Sequence, residues 1–293
     1  MRRVLSALIV LGLIGLGVAW WVTAPRSVYD APLAGSAGDA VKGEMVFWAA
    51  GCASCHSAEG AADDARLVLA GGRAFPSPFG TFRAPNISTD TTHGIGGWTE
   101  VDFLRATLSG VSPDGQHYFP AFPYASYSRM EVQDARDLWA FMQTLPADAT
   151  PSQQHDVGFP YNIRRAVGGW KFLYLNDDWV LDAGSGAQLQ RGRYLVEALG
   201  HCAECHTPRD DLGGLQTSAW MMGAPDPSGT GRIPGITPAQ LPWSAPDIAA
   251  YLKSGFTPEF DSAGGHMVEV IKNMGRLPDE DLNAIAAYLK AIP

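Results

Sequence analysis

The chain has 293 residues and a formal net charge of −9, with a pI near 5.2, which argues against a nucleic-acid binder because those carry basic patches. A hydrophobic share of 46% and a mean hydropathy of −0.04 exclude both a membrane protein of many spans and a disordered chain. Thirty-three glycines and 21 prolines predict a loop-rich structure, and four cysteines are too few for a disulfide scaffold.

Met1-Arg2-Arg3 precedes an uncharged run from Val4 to Val22. These 19 residues, at about 1.5 Å each, span roughly 28 Å as a helix, close to the hydrocarbon thickness of a bilayer. Trp20 and Trp21 stand where an aromatic belt meets the outer interface, and the two arginines favour an N-inside orientation. Val22-Thr23-Ala24 resembles a signal-peptidase site, but Pro25 follows it directly. The expectation is an uncleaved anchor over residues 1–26 in the inner (cytoplasmic) membrane, with a cleaved signal peptide as the alternative. Either one exports the rest of the chain to the periplasm.

All four cysteines fall in two motifs, Cys52-Ala-Ser-Cys55-His56 and Cys202-Ala-Glu-Cys205-His206. Cys-x-x-Cys-His is the c-type heme attachment motif. Two thiols three positions apart on one helical turn match the two vinyl groups on one porphyrin edge, and the following histidine then lies under the ring to ligate iron. A redox dithiol needs no histidine after it, and a four-cysteine zinc site keeps its halves within about 15–20 residues, whereas these lie 150 apart. The motifs therefore predict two covalent heme c groups on Cys52, Cys55, Cys202 and Cys205, with His56 and His206 as proximal ligands.

The chain also reads as an internal duplication. Lys42-Gly43 through Gly51 matches Arg191-Gly192 through His201, Arg83-Ala84-Pro85 is echoed by Arg232-Ile233-Pro234, and Trp98-Thr99 parallels Trp243-Ser244. Thr99 and Ser244 read as helix N-caps with an acidic residue three positions on, and Gly110 and Gly255 as the glycines that end those helices. Each half closes on an amphipathic helix before a proline, Asp134 to Leu145 and Asp279 to Ile292. The expected fold is all-α and loop-rich: two tandem cytochrome c-like domains (37–147 and 187–293) joined by an interdomain segment (148–186). In that segment Ile163, Val167 and Trp170 are expected to share a helix face that braces the two domains.

A sixth iron ligand decides between electron transfer and substrate chemistry, since a methionine closes the site and an open position admits small molecules. Met130 is the candidate in the first half, and Met142 reads as core on the final helix. In the second half Met267 and Met274 both precede the final helix. Met274 lies 19 residues past Gly255, close to the 20 that separate Met130 from Gly110, so internal symmetry favours Met274. Arg83 and Arg232 are candidates for pairing with heme propionates, and Trp98, Trp139 and Trp243 for packing around porphyrin. His93, His117, His155 and His201 read as ordinary polar residues.

Several motifs carry a family resemblance: Pro85-Asn86-Ile87-Ser88, Gly94-Ile95-Gly96-Gly97-Trp98, Tyr118 through Met130, Phe159-Pro160-Tyr161-Asn162-Ile163-Arg164-Arg165 and His266-Met267-Val268-Glu269-Val270. With these the chain resembles the cytochrome c subunits of membrane-bound alcohol, aldehyde and gluconate dehydrogenases, from about residue 40 to the end. The resemblance implies Met267 as the second distal ligand. It also implies electrons entering from a periplasmic catalytic subunit (a quinoprotein, flavoprotein or molybdoprotein) and leaving to a quinone, cytochrome or oxidase acceptor. The alcohol and gluconate dehydrogenase subunits typically carry three hemes, whereas two motifs occur here. The expected function is thus an electron-relay protein with no catalytic residues of its own. A diheme enzyme of the peroxidase or thiosulfate dehydrogenase type and a terminal-oxidase subunit are the alternatives. Removing Arg2, Arg3 and Arg26 leaves 18 basic against 30 acidic side chains, a field that steers towards a basic partner surface.

Overall fold

The computed structural model describes residues 1–27, 29, 35–229 and 231–293. Helix α1 (Arg2–Val22) is 21 residues long, has a mean hydropathy of 2.2 and buries none of its side chains, so by length and composition it suffices to cross a membrane. The first repeat comes next, with α2 (Ala40–Ala49), the short attachment turn α3 (Cys52–His56), and an antiparallel hairpin of β1 (Ala74–Ser77) and β2 (Gly80–Arg83). It continues with α4 (Glu100–Ser109), α5 (Tyr124–Tyr127) and α6 (Val132–Met142). The connecting segment adds a third strand, β3 (Asp156–Val157), to the hairpin beside β2, then forms a 3-10 turn and α7 (Val167–Tyr174). The second repeat contains α8 (Ala187–Arg193), α9 (Ala203–His206), a two-residue ribbon of β4 (Ala224–Pro225) and β5 (Arg232–Ile233), α10 (Ala245–Ser254), α11 (Met267–Met274) and α12 (Asp279–Ala291). The molecule is helical, loop-rich and duplicated, as expected. The small sheets were not anticipated, because runs of two to four residues leave no readable alternation.

One crossing organises each repeat. α2 packs on α6, and α8 on α12, with a glycine at each point of closest approach. A Cβ at Gly43 would lie 1.9 Å from the Asp137 carbonyl oxygen, and one at Gly192 would lie 2.0 Å from that of Ala284. The next contacts also correspond, with the Cβ atoms of Phe141 and Tyr288 each 2.9 Å away. Only glycine lets the two backbones meet, and the surrounding apolar side chains then close the core: Phe47, Leu138 and Phe141 in one repeat, Val196, Ile285 and Tyr288 in the other.

From the crossing glycine to the first cysteine the chain counts nine residues in the first repeat and ten in the second. The extra residue is taken up by a π-helical turn over Tyr194–Leu199, the usual way a helix absorbs a single insertion. Both attachment turns can therefore start from equivalent places despite the mismatch.

The expected caps are present. Thr99 accepts from the Asp102 amide and Asp102 returns the bond, and Ser244 and Asp247 form the same capping box. Gly110 and Gly255 end those helices at φ +60° and +82°, in the left-handed region that favours glycine. The bracing helix differs from expectation. It begins at Val167, so Ile163 falls outside it and stands 44% exposed, while Val167 is buried and the Trp170 ring packs edge-on to Tyr124. A 3-10 turn over Arg164–Ala166 leads into the helix, with Ile163 at its extended start.

If the crossing carries each repeat, Gly192→Ala should lower stability by about 1–3 kcal/mol through forced backbone separation. Gly264→Ala, where an added Cβ meets nothing within 4 Å, should change it by under about 0.5 kcal/mol. Denaturant unfolding followed by far-UV circular dichroism measures both.

Candidate heme-binding sites

The two attachment turns are built alike. His56 donates from Nδ1 to the Pro85 carbonyl at 2.8 Å, and His206 donates from Nδ1 to the Pro234 carbonyl at 2.8 Å. Each bond fixes the tautomer and ring plane and leaves Nε2 as the free lone pair, the arrangement a metal-ligating histidine requires. Burial holds both rings below the usual histidine pKa, with the carbonyl bond opposing it, so each imidazole is kept neutral and ready to ligate. The backbone repeats the pattern. Gly71 donates to the His56 carbonyl at 2.8 Å and Gly223 to that of His206 at 2.7 Å, tying each turn to the loop that carries its proline. The sequence echo had paired Pro85 with Pro234, but not with the histidines they orient.

The cysteines suit attachment better than thiol redox chemistry. Burial pushes the Cys52 thiol up to about 12, Cys55 up to about 11 and Cys202 up to about 12. A dithiol reductant needs the opposite shift. The donor set at each turn therefore fits a c-type heme: two free thiols three residues apart with an oriented imidazole beside the second.

The methionines fall into unequal places. Backbone bonds give the correspondence between repeats: Met130 donates to the Tyr127 carbonyl at 2.9 Å, and Leu277 donates to the Met274 carbonyl at 2.9 Å. Likewise Ser128 donates to Tyr124 at 2.9 Å and Gly275 to Ile271 at 2.8 Å. Met130 thus stands opposite Leu277, and Met274 opposite Tyr127. The spacing that paired Met130 with Met274 is off by three residues: both segments open alike, Tyr118 donating to Gly110 and Ala263 to Gly255 at 2.8 Å, but the second then holds two more residues before its closing helix. Met274 is buried, and its Cε lies 3.6 Å from where a Cβ at Gly200 would be, with Cys202 Sγ on the same spot at 3.5 Å. It packs beside the second attachment turn, as Tyr127 does beside the first, where its hydroxyl donates to the Ala50 carbonyl at 2.7 Å. Met130 is buried in the core, and Met267 is half-buried at the start of α11.

The two turns also face one another across the interface between repeats. Asn273 donates to Ser54 Oγ at 2.8 Å, and Ser126 donates to Glu204 at 3.2 Å. Ser54 and Glu204 are the residues before the second cysteine of each motif, and Ser126 and Asn273 are counterparts in the correspondence above. The contact is therefore a pseudo-two-fold exchange, each distal segment reaching the other repeat's attachment turn. Charge on Cys205 pushes the Cys55 thiol up, as only nearby groups do. Arg66, buried in the first repeat, locks the exchange by donating to the Glu269 carboxylate and to Asn273 Oδ1. Lys272 adds a bond to Glu269 at 2.8 Å. None of Arg66, Ser54, Glu204 or Asn273 was singled out from sequence, since no local pattern marks a partner more than 70 residues away.

Three of the other five histidines have structural hydrogen-bond partners. His117 donates to the Thr23 carbonyl at 3.0 Å, His155 Nδ1 accepts from the Arg83 amide at 3.1 Å, and His201 donates to the Ala50 carbonyl at 3.3 Å. Trp98, Trp139 and Trp243 pack at the edge of the core. Among the described residues no cluster of three or more His, Cys, Asp and Glu side chains forms a separate metal site.

Comparison with known proteins agrees with this geometry. The cytochrome c family profile matches residues 40–146 and again 189–293. The chain belongs to the cytochrome c family. It is 52% identical over 293 residues, 100% of this chain and 99% of the relative, to a diheme cytochrome c-type protein of Cereibacter sphaeroides. It is 38% identical over 260 residues, 86% of this chain and 52% of the relative, to the fructose dehydrogenase cytochrome subunit of Gluconobacter japonicus. Identity to the cytochrome c subunit of the quinone-dependent alcohol dehydrogenase of Gluconacetobacter polyoxogenes is 35% over 266 residues, 86% of this chain and 55% of the relative. The chain thus spans about half the length of these dehydrogenase subunits, but nearly all of the diheme relative. It is an electron-transfer cytochrome with two covalent heme c groups and two cytochrome c domains.

Removing the lock should loosen the contact between domains. Arg66→Ala leaves the Glu269 carboxylate buried against one lysine, and a loss of about 3 kcal/mol is expected. Denaturant unfolding reads it, and hydrogen exchange should show the loss first at α11 and at the residues following α3.

Proposed function

We propose that this cytochrome is anchored by α1 in the inner membrane and relays single electrons in the periplasm from a dehydrogenase catalytic subunit to a respiratory acceptor. Cys52, Cys55, Cys202 and Cys205 are the attachment residues in this reading, His56 and His206 the proximal ligands, and Met130 and Met267 the distal ones. Bound heme supplies a reversible one-electron iron couple. The chain's own residues do the rest: they fix the imidazoles, exclude water and set the distance between the two centres.

The observation that carries the reading is the face-to-face packing of the attachment turns. The bonds Ser54–Asn273 and Glu204–Ser126 hold each attachment turn against the other repeat, which supports a short path between the two centres. A path of that kind serves relay, and a substrate pocket is not needed for it. Methionine ligation closes each iron and raises its potential. Met267 is preferred to Met274 because Met274 fills the packing position that Tyr127 fills in the first domain. The distal ligands are then not symmetry mates, Met130 lying two residues before α6 and Met267 twelve before α12. Different segments around the two irons favour different potentials, and hence a direction of flow. A dehydrogenase partner is supported by relatives named as cytochrome subunits of fructose, alcohol and gluconate dehydrogenases. The excess of acidic side chains outside α1 favours docking on a basic partner face.

The optical spectrum of the reduced protein with and without carbon monoxide tests the coordination. The unaltered protein should show no change, whereas Met130→Ala and Met267→Ala should each make one heme of the two bind the gas. Met274→Ala should leave both irons closed and cost about 2–4 kcal/mol of stability as a core truncation. A heme that binds carbon monoxide in the unaltered protein would overturn the closed-site relay and favour the enzymatic reading. Recovery in washed membranes, together with a copurifying dehydrogenase, tests the anchor and the partner.

A further inference from the structure

The end of α1 is gripped by the segment that joins the two domains. Arg165 stacks 4.0 Å over the Trp20 ring, donates to Thr23 Oγ1 at 3.0 Å and also reaches the Trp20 carbonyl. His117 donates to the Thr23 carbonyl from the other side at 3.0 Å. Gly168 of α7 touches the same residue so closely that a Cβ there would lie 2.5 Å from the Thr23 carbonyl oxygen, and Gly169 faces the Thr23 methyl. Lys171, one turn on, is pinned to the first domain by bonds to the Ser109 and Gly110 carbonyls at 2.6 and 2.8 Å. The first domain, α7 and the helix exit thus form one unit.

Depth is set by this contact. Trp20 lies in the last turn of α1, so a backbone that places its guanidinium on that ring and carbonyl lies at the level of the helix end. At that level the chain shows apolar side chains to the outside. Phe172 and Leu173 are 72% and 61% exposed. They stand one helical turn beyond Gly168 and Gly169, on the faces that meet Thr23. Ile163, just ahead of Arg164 and Arg165, is exposed as well. Arg26, folded over the Trp21 ring at 4.1 Å, adds a second cation at the helix exit.

We propose that α7 and the turn before it form an interfacial face that rests in the headgroup layer of an anionic phospholipid bilayer, with Phe172, Leu173 and Ile163 in the acyl boundary and Arg26 and Arg165 on phosphates. The inference rests on α1 being a membrane anchor. Apolar side chains next to cations at the mouth of a spanning helix match the two-signal chemistry of interfacial binding. The face is continuous with the surface that α1 itself presents to lipid. Its consequence is orientation: the first domain is held to the membrane at a second place, so it cannot swing freely about the residues after Val22. Its attachment turn then keeps one height and one heading for partners.

The test places p-benzoylphenylalanine at Phe172, Leu173 or Phe256 in the full heme-loaded chain. Phe256 is an exposed aromatic of the second domain. Each protein is reconstituted into phosphatidylethanolamine–phosphatidylglycerol vesicles, floated on a density gradient and irradiated, and tryptic peptides are weighed for lipid adducts. Lipid adducts at 172 and 173 and none at 256 are expected. A second variant, Gly168→Leu, should lose the adducts while keeping its heme spectrum and its flotation. Failure to float overturns the anchor, and the interfacial face with it. Flotation without lipid adducts at 172 and 173 overturns the face alone. Adducts to another protein at those positions in native membranes also overturn it, since the face would then belong to a partner.

Discussion

Each domain depends on a backbone-to-backbone crossing that tolerates no side chain. Gly43 against Asp137 and Gly192 against Ala284 bring the first and last helices of each repeat within reach of each other's carbonyls. The attachment turn begins nine or ten residues after the glycine, so its direction is set by the crossing. Where the count differs, the helix changes its winding, and the start of the attachment turn is preserved. A local irregularity at Tyr194–Leu199 is thereby the means of keeping the two sites alike.

Beyond the crossing, each repeat orients single atoms. A proline carbonyl 28 or 29 residues downstream fixes each motif histidine through Nδ1, and the loop that brings the proline is itself bonded back to the histidine's carbonyl. This closed circuit pre-sets the ring before any cofactor is attached. It is a second-sphere device of the kind that tunes ligand basicity in metal sites.

The duplication acts at the interface as well as within each repeat. Because Ser54 corresponds to Glu204 and Ser126 to Asn273, one contact made twice joins the domains, as at an isologous dimer interface held within one chain. The symmetry is incomplete where function needs difference. Arg66 and Glu269 bridge only one side, and Tyr127 answers to Met274. A relay between unlike centres calls for similar scaffolds and dissimilar surroundings, and the repeats supply both.

The sequence by itself determined the chemistry. Two Cys-x-x-Cys-His motifs using every cysteine, caps at Thr99 and Ser244, terminal glycines and paired closing helices were all local patterns, and local patterns are carried by spacing alone. Spacing also led astray where it was asked to act over distance. Counting from Gly110 and Gly255 paired Met130 with Met274, but the second loop holds two extra residues after an equivalent start, and the backbone bonds set the register three residues away. Ile163 was placed on a helix that begins four residues later. Tertiary structure alone decided which atoms meet: prolines with histidines, Arg66 with Glu269 across 203 residues, one attachment turn with the other, and α7 with the end of α1. Such contacts leave no mark in a single sequence. Each partner is an ordinary serine, arginine or glycine until the fold brings its counterpart within hydrogen-bonding distance.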